Sequence, residues 1–133
     1  MRVYTRSVLL LCLLACVGCG GKSTDQLIKD LKSPQEKEQI IAVRLLPQRK
    51  GEATKIIPAL IEALKDKSDG VRTSAAIGLG SFGEQAKDAI PALQAVQRDP
   101  DVRVREAVGV ALSRIDPRFP NPSQARPAQG KGS

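Results

Sequence analysis

The stretch Lys55–Asp66, KIIPALIEALKD, returns 33 residues later as Asp88–Asp99, DAIPALQAVQRD. No other feature narrows the fold as far, because a fixed period confines a chain to stacked, equivalent units. The same shift lays Pro58-Ala-Leu60 on Pro91-Ala-Leu93, Val71-Arg72 on Val104-Arg105 and Leu79 on Leu112. A backward shift finds a weaker first copy, with Leu27 and Leu31 under Leu60 and Leu64, and Ala42 and Leu46 under Ala75 and Leu79.

Each copy contains two runs of apolar residues spaced by three and four, the signature of an amphipathic helix face. The first runs are Leu27, Ile28, Leu31; Ile57, Leu60, Ile61, Leu64; and Ile90, Leu93, Val96. The second runs are Ile41, Ala42, Leu45, Leu46; Val71, Ala75, Gly78, Leu79, Phe82; and Val104, Val108, Ala111, Leu112, Ile115. Ser33, Asp66 and Asp99 recur between the two runs and are predicted to cap the second helices, since each can accept from a free backbone N–H. Pro34 and Pro100 follow at the predicted first helical positions, where no N–H is needed. Pro47 and Gly83 stand near the ends of second helices as stop signals. The expected fold is all-α: a short α-solenoid of three helix pairs, about 24–56, 57–89 and 90–116, within a domain spanning 22–117. Three is near the minimum number of pairs that can bury one another's apolar flanks.

Composition limits the partners of such a stack. The formal net charge is +7, but residues 22–117 hold 16 Lys/Arg against 14 Asp/Glu, so the surplus lies mainly in the two termini. A nearly neutral domain lacks the basic face of a nucleic-acid binder. The three aromatics, Tyr4, Phe82 and Phe119, provide no platform on which bases stack. Gly20-Gly-Lys-Ser-Thr24 ends like a phosphate-binding loop, but Cys16 occupies the place of its first glycine.

Residues 1–21 read as an export signal. Arg2 and Arg6 precede the uncharged run Ser7–Val17, which is shorter than the ~20 apolar residues of a membrane span. Leu13-Leu-Ala-Cys16 resembles a bacterial lipobox, which makes Cys16 the expected lipidation site, with Cys19 as the alternative. All three cysteines fall in this segment, so the remaining chain holds neither a disulfide framework nor a cysteine metal site. Residues 118–133, rich in proline and poor in apolar side chains, are expected to be disordered.

The run Asp69-Gly-Val-Arg-Thr-Ser-Ala-Ala-Ile-Gly-Leu-Gly-Ser-Phe-Gly83 resembles the second helix of HEAT-like repeats of the phycobilin-lyase type. Asp101–Asp116 resembles it again, whereas copy one has Glu38-Gln39 in place of Val-Arg. The resemblance implies a solenoid whose second helices line the concave side. It also implies a ladder between repeats made by Arg72 and Arg105 with Asp66 and Asp99, missing from copy one. In the family's register two concave rows face a partner: Ile40, Thr73 and Glu106, and Arg44, Ile77 and Val110. Some such relatives are bilin lyases, and deoxyhypusine hydroxylase carries His-Glu metal ligands on HEAT-like repeats. This chain has no histidine, so no catalytic residue, metal site or cofactor is expected. The expectation is a non-enzymatic scaffold, exported and lipid-anchored in a bacterial cell envelope, that binds an unidentified protein and no nucleic acid. The alternative is an accessory subunit of a bilin- or metal-handling enzyme complex.

Overall fold

The computed structural model describes residues 21–120; the expected signal, Cys16 and Cys19, and the tail beyond Pro120 lie outside the described residues. Among the described residues six α-helices follow in pairs: α1 (Thr24–Asp30) and α2 (Glu36–Leu45), α3 (Ala53–Ala63) and α4 (Asp69–Phe82), α5 (Ile90–Ala95) and α6 (Val102–Ile115). Short 3-10 segments, Leu46–Gln48, Lys50–Glu52 and Gly83–Ala89, join one pair to the next. Among the described residues there is no strand. The chain is a short all-α solenoid.

One continuous core runs through the three pairs. Leu27, Leu46, Ile56, Leu60, Leu64, Leu79, Leu93, Leu112 and Ile115 are fully enclosed in it. Packing is closest between α4 and α6, where small residues let the backbones approach. A Cβ at Gly80 would stand 2.9 Å from the Cα of Ala111, so only glycine fits there without moving α6. The α4 helix then stops at Gly83, whose φ of 56° is reached cheaply by glycine alone.

The second helices begin at Glu36, Asp69 and Val102, which keeps the 33-residue register but shifts the caps from their expected places. Ser68 caps α4 by accepting from the Val71 N–H at 3.3 Å, and Asp101 caps α6 by accepting from Arg103 and Val104 at 2.8 and 3.2 Å. Ser33, Asp66 and Asp99 instead accept from the N–H two residues on, at 3.1, 2.9 and 2.9 Å. They close the turns rather than start the helices. A short polar side chain can bond locally in either way, and in the second and third turns the turn form leaves two carbonyls facing an arginine, as described below.

Two of the predicted core residues are exposed. Ile41 and Leu45 on α2 are 53% and 38% accessible, although their periodicity places them on an apolar stripe. In the next two units the matching positions are Ser74 and Gly78, then Ala107 and Ala111, which face the preceding helix pair. The first unit has no predecessor among the described residues, so the same face meets solvent. The described residues include three beyond 117. Phe119 is half-buried against the core, and Arg118 folds back to donate to both Asp116 carboxylate oxygens.

Candidate functional site

The second helices bring two sets of side chains together. The first joins the turns. Arg72 Nη1 donates to the carbonyls of Asp66 and Lys67 at 2.9 and 3.0 Å, which fixes its own turn. The other edge of the guanidinium forks onto Asp99 in the next turn, Nε to Oδ2 at 2.8 Å and Nη2 to Oδ1 at 3.0 Å. The two side chains are only 14% and 6% exposed, so the pair is shielded from screening. The Arg72 guanidinium holds the Asp99 carboxyl below the usual range against the opposing effect of burial.

Arg105 repeats the first half of this arrangement, with Nη1 donating to the carbonyls of Asp99 and Pro100 at 2.7 and 3.0 Å. In copy one Gln39 stands in the arginine's place. Its Nε2 donates to the Leu31 carbonyl and to Asp66 Oδ2, each at 3.0 Å. The link expected to be missing there is present in neutral form. An amide can bridge the same gap because both of its N–H donors point one way. Asp66 thus meets Gln39 through its carboxylate and Arg72 only through its carbonyl.

The second set lines a groove of about 340 Å³ between α2 and α4. Val43, Arg44 and Pro47 form one wall and Gly70, Thr73, Ser74, Ile77 and Gly78 the other, with Arg103 of α6 at the rim. Three of the six predicted partner residues, Arg44, Thr73 and Ile77, meet here. The other three do not. Ile40 is half-buried beside Gly70, Val110 is half-buried on α6, and Glu106 is exposed on α6 outside the groove.

The groove combines unlike chemistries. Ile77 is 54% exposed, so apolar surface is displayed rather than tucked into the core. The Thr73 hydroxyl is buried without a hydrogen-bond partner, although Ser81 and Ser113 on the same kind of helix bond back to Gly78 and Val110. Leaving such a group unpaired costs about 1–3 kcal/mol, which a ligand or partner acceptor would relieve. Arg44 is exposed and has no ion pair among the described residues. Arg103 is held between Asp69 and Asp101. Its part in the rim was not anticipated from the sequence.

A larger hollow of about 650 Å³ lies between α1 and α3, lined by Ile28, Pro58, Ala59 and Glu62 among others. Among the described residues no three His, Cys, Asp or Glu side chains converge as a metal ion would need, and no helix is long and apolar enough to cross a membrane.

Comparisons with known proteins place these features. The family profile described as HEAT repeats matches residues 24–113. No curated protein matches the chain. Among solved structures, one similar chain belongs to the complex of CpcE and CpcF of phycocyanin lyase from Nostoc sp. PCC7120. It superposes with a TM-score of 0.65 at 27% identity over 72% of this chain. The match spans only 38% of that chain's length. It corrects the expectation of a non-enzymatic scaffold and favours the alternative, because the structure it resembles is an enzyme complex.

Proposed function

The chain belongs to the HEAT-repeat family, and on that premise we propose that it is an interaction subunit of a bilin-lyase-related enzyme complex. The observation that carries this reading is the groove between α2 and α4 on a fold shared with a lyase complex. It offers exposed Ile77, an unpaired Thr73 hydroxyl and the Arg44 cation within one concavity. Apolar floor, a few convergent polar groups and positive charge at the edge suit a long unsaturated ligand bearing carboxylates. An open-chain tetrapyrrole is a molecule of that kind, and a partner protein carrying one would present the same chemistry. Titrating the purified full chain with a linear tetrapyrrole should shift the pigment's visible absorbance and raise the melting temperature. Arg44→Glu and Ile77→Glu should lose both effects while keeping the helical circular-dichroism signal. Unchanged absorbance and melting temperature for the parent chain would end the reading.

The tether is proposed separately. Acylation of Cys16, with Cys19 as the alternative, would hold the complex at a membrane surface. Two buried acyl chains anchor stably, at about 0.8 kcal/mol per methylene. Labelled palmitate should enter the parent chain and be lost in Cys16→Ala or, for the alternative, in Cys19→Ala. Equal incorporation by both single variants and by the double variant would remove the lipobox assignment.

A further inference from the structure

We propose that the hollow between α1 and α3 is a second ligand site, which takes a free long-chain fatty acid with its carboxylate at the turn end. This goes beyond the bilin reading and does not depend on it, since the hollow shares no lining residue with the α2–α4 groove. Its volume of about 650 Å³ falls within the range of roughly 300–1,000 Å³ typical of small-molecule clefts. Ile28, Leu31, Pro58, Ala59 and Ala63 make an apolar floor. From Lys55 to Lys65 that floor runs roughly 15 Å along α3 and just past its end, at about 1.5 Å per residue. A single crease between two helices suits one hydrocarbon chain rather than the two of a membrane phospholipid.

Charge is set unevenly along the crease. Lys32 and Lys65 line it at equivalent places in the first and second units, each just before the turn residue Ser33 or Asp66, so both stand at one end. The acids of that end are already engaged. Asp66 accepts from the Gln39 amide and the Ser68 N–H, and Glu62 pairs with Lys65. At the opposite end Lys55 pairs with Asp25 at 3.6 Å. Lys32 is exposed and has no ion pair among the described residues. One cation is therefore left over, at the end of an apolar strip. A monoanion with a long apolar tail matches that arrangement. The lysine stems cover the chain while their ammonium groups meet the carboxylate.

The neighbouring crease shows what the charge adds. Between α3 and the Gly83–Ala89 segment lies a hollow of similar volume, about 680 Å³, lined by Ile57, Pro58 and Ile61. Its charged residues are Lys50 and Asp88, one of each sign, so no cation is in surplus there. It is a control of the same size in the same fold.

The test uses the full chain carrying Cys16→Ala and Cys19→Ala, so that no covalent acyl chain competes. Titration with cis-parinaric acid, a fluorescent fatty acid, should raise the probe's emission to saturation, and palmitate should displace it. Lys32→Glu should weaken binding about tenfold or more, the worth of one charge-assisted contact, with circular dichroism unchanged because the side chain is exposed. Hexadecanol, which lacks the carboxylate, should compete less well than palmitate by a similar factor. Ala59→Trp fills the crease and should abolish binding; if it does not fold, Pro58→Glu places an acid on the exposed part of the same floor. Lys50→Glu in the neighbouring hollow and Ile77→Glu in the α2–α4 groove should leave binding unchanged, which separates this site from the bilin response. A parent chain without saturable emission would overturn the proposal. So would equal weakening by Lys32→Glu and Lys50→Glu, or hexadecanol competing as well as palmitate. Binding to phosphatidylglycerol vesicles with no displacement of the probe by palmitate would put a membrane in the hollow instead, and would overturn it too.

Discussion

Arg72 joins two turns through one planar group. Its carbonyl-facing edge rigidifies the turn of its own unit, and its carboxylate-facing edge fixes the distance to the next. Removing it leaves Asp99 charged, 6% exposed and unpaired. Breaking one partner of a buried pair costs about 3 kcal/mol or more. Arg72→Ala should therefore lower stability to urea by about 3 kcal/mol. Gln39→Ala, which removes one hydrogen bond to a carbonyl and one to the Asp66 carboxylate but breaks no ion pair, should lower it by about 1–3 kcal/mol. The pair also sets a pH dependence. The folded Asp99 carboxyl is held below its ordinary value of 3.8, first by the Arg72 hydrogen bond, so the folded state favours the ionised form. Its contribution is complete above that value and is lost as pH falls through the lower, folded value. Asp116, held at about 2 by the Arg118 hydrogen bond, adds to the same acid limb. Urea midpoints should be level with respect to these groups near neutrality and fall below about pH 4. Asp99→Asn should flatten that limb; an unchanged limb in this variant would show that the pair does not titrate with folding.

At the scale of the helix, small residues set the spacing. Gly80 allows α4 and α6 to approach until a Cβ would reach backbone, and backbone cannot swing aside as a side-chain tip can. Gly80→Ala should cost about 1–3 kcal/mol by overpacking, measured as a lowered melting temperature. Gly51→Ala, with open space around its Cβ position, serves as the control. Equal losses in both would show that helix spacing is not what Gly80 governs. The helices themselves were legible in the residues: the three-and-four spacing of Val104, Val108, Ala111, Leu112 and Ile115 is fully buried, as is that of Val71, Ala75, Gly78 and Leu79. Helix starts were not, because Ser33, Asp66 and Asp99 have side chains that serve a turn as well as a cap. Periodicity also failed at Ile41 and Leu45, since a pattern identifies an apolar face without saying whether a neighbour covers it. Three residues of the groove followed from the register, Arg44, Thr73 and Ile77. Arg103 did not, because it reaches the rim from the adjacent unit by way of Asp69.

At the scale of the whole molecule, stability in such a stack is a sum of unit and joint contributions rather than one indivisible quantity. The joints here are unequal. Between the second and third units there is a shielded ion pair, a glycine-mediated close approach and two second helices of 14 residues. Between the first and second units the links are the Gln39 amide bridge, a Ser68–Glu36 hydrogen bond and an exposed Lys55–Asp25 pair, α2 has 10 residues, and α1 has 7. A helix of two turns owes its stability to packing, because nucleation alone is unfavourable. The exposed back face of α2 gives the first unit less packing on one side. Opening should therefore begin at the first unit while the α4–α6 joint holds. Amide hydrogen exchange should show the greatest protection in α4 and α6 and the least in α1, with α2 between them. Arg72→Ala should bring α6 down towards the α2 level, because it weakens the stronger joint. Uniform protection across all six helices would mean that the three units open as one, and the additive description of the stack would fail.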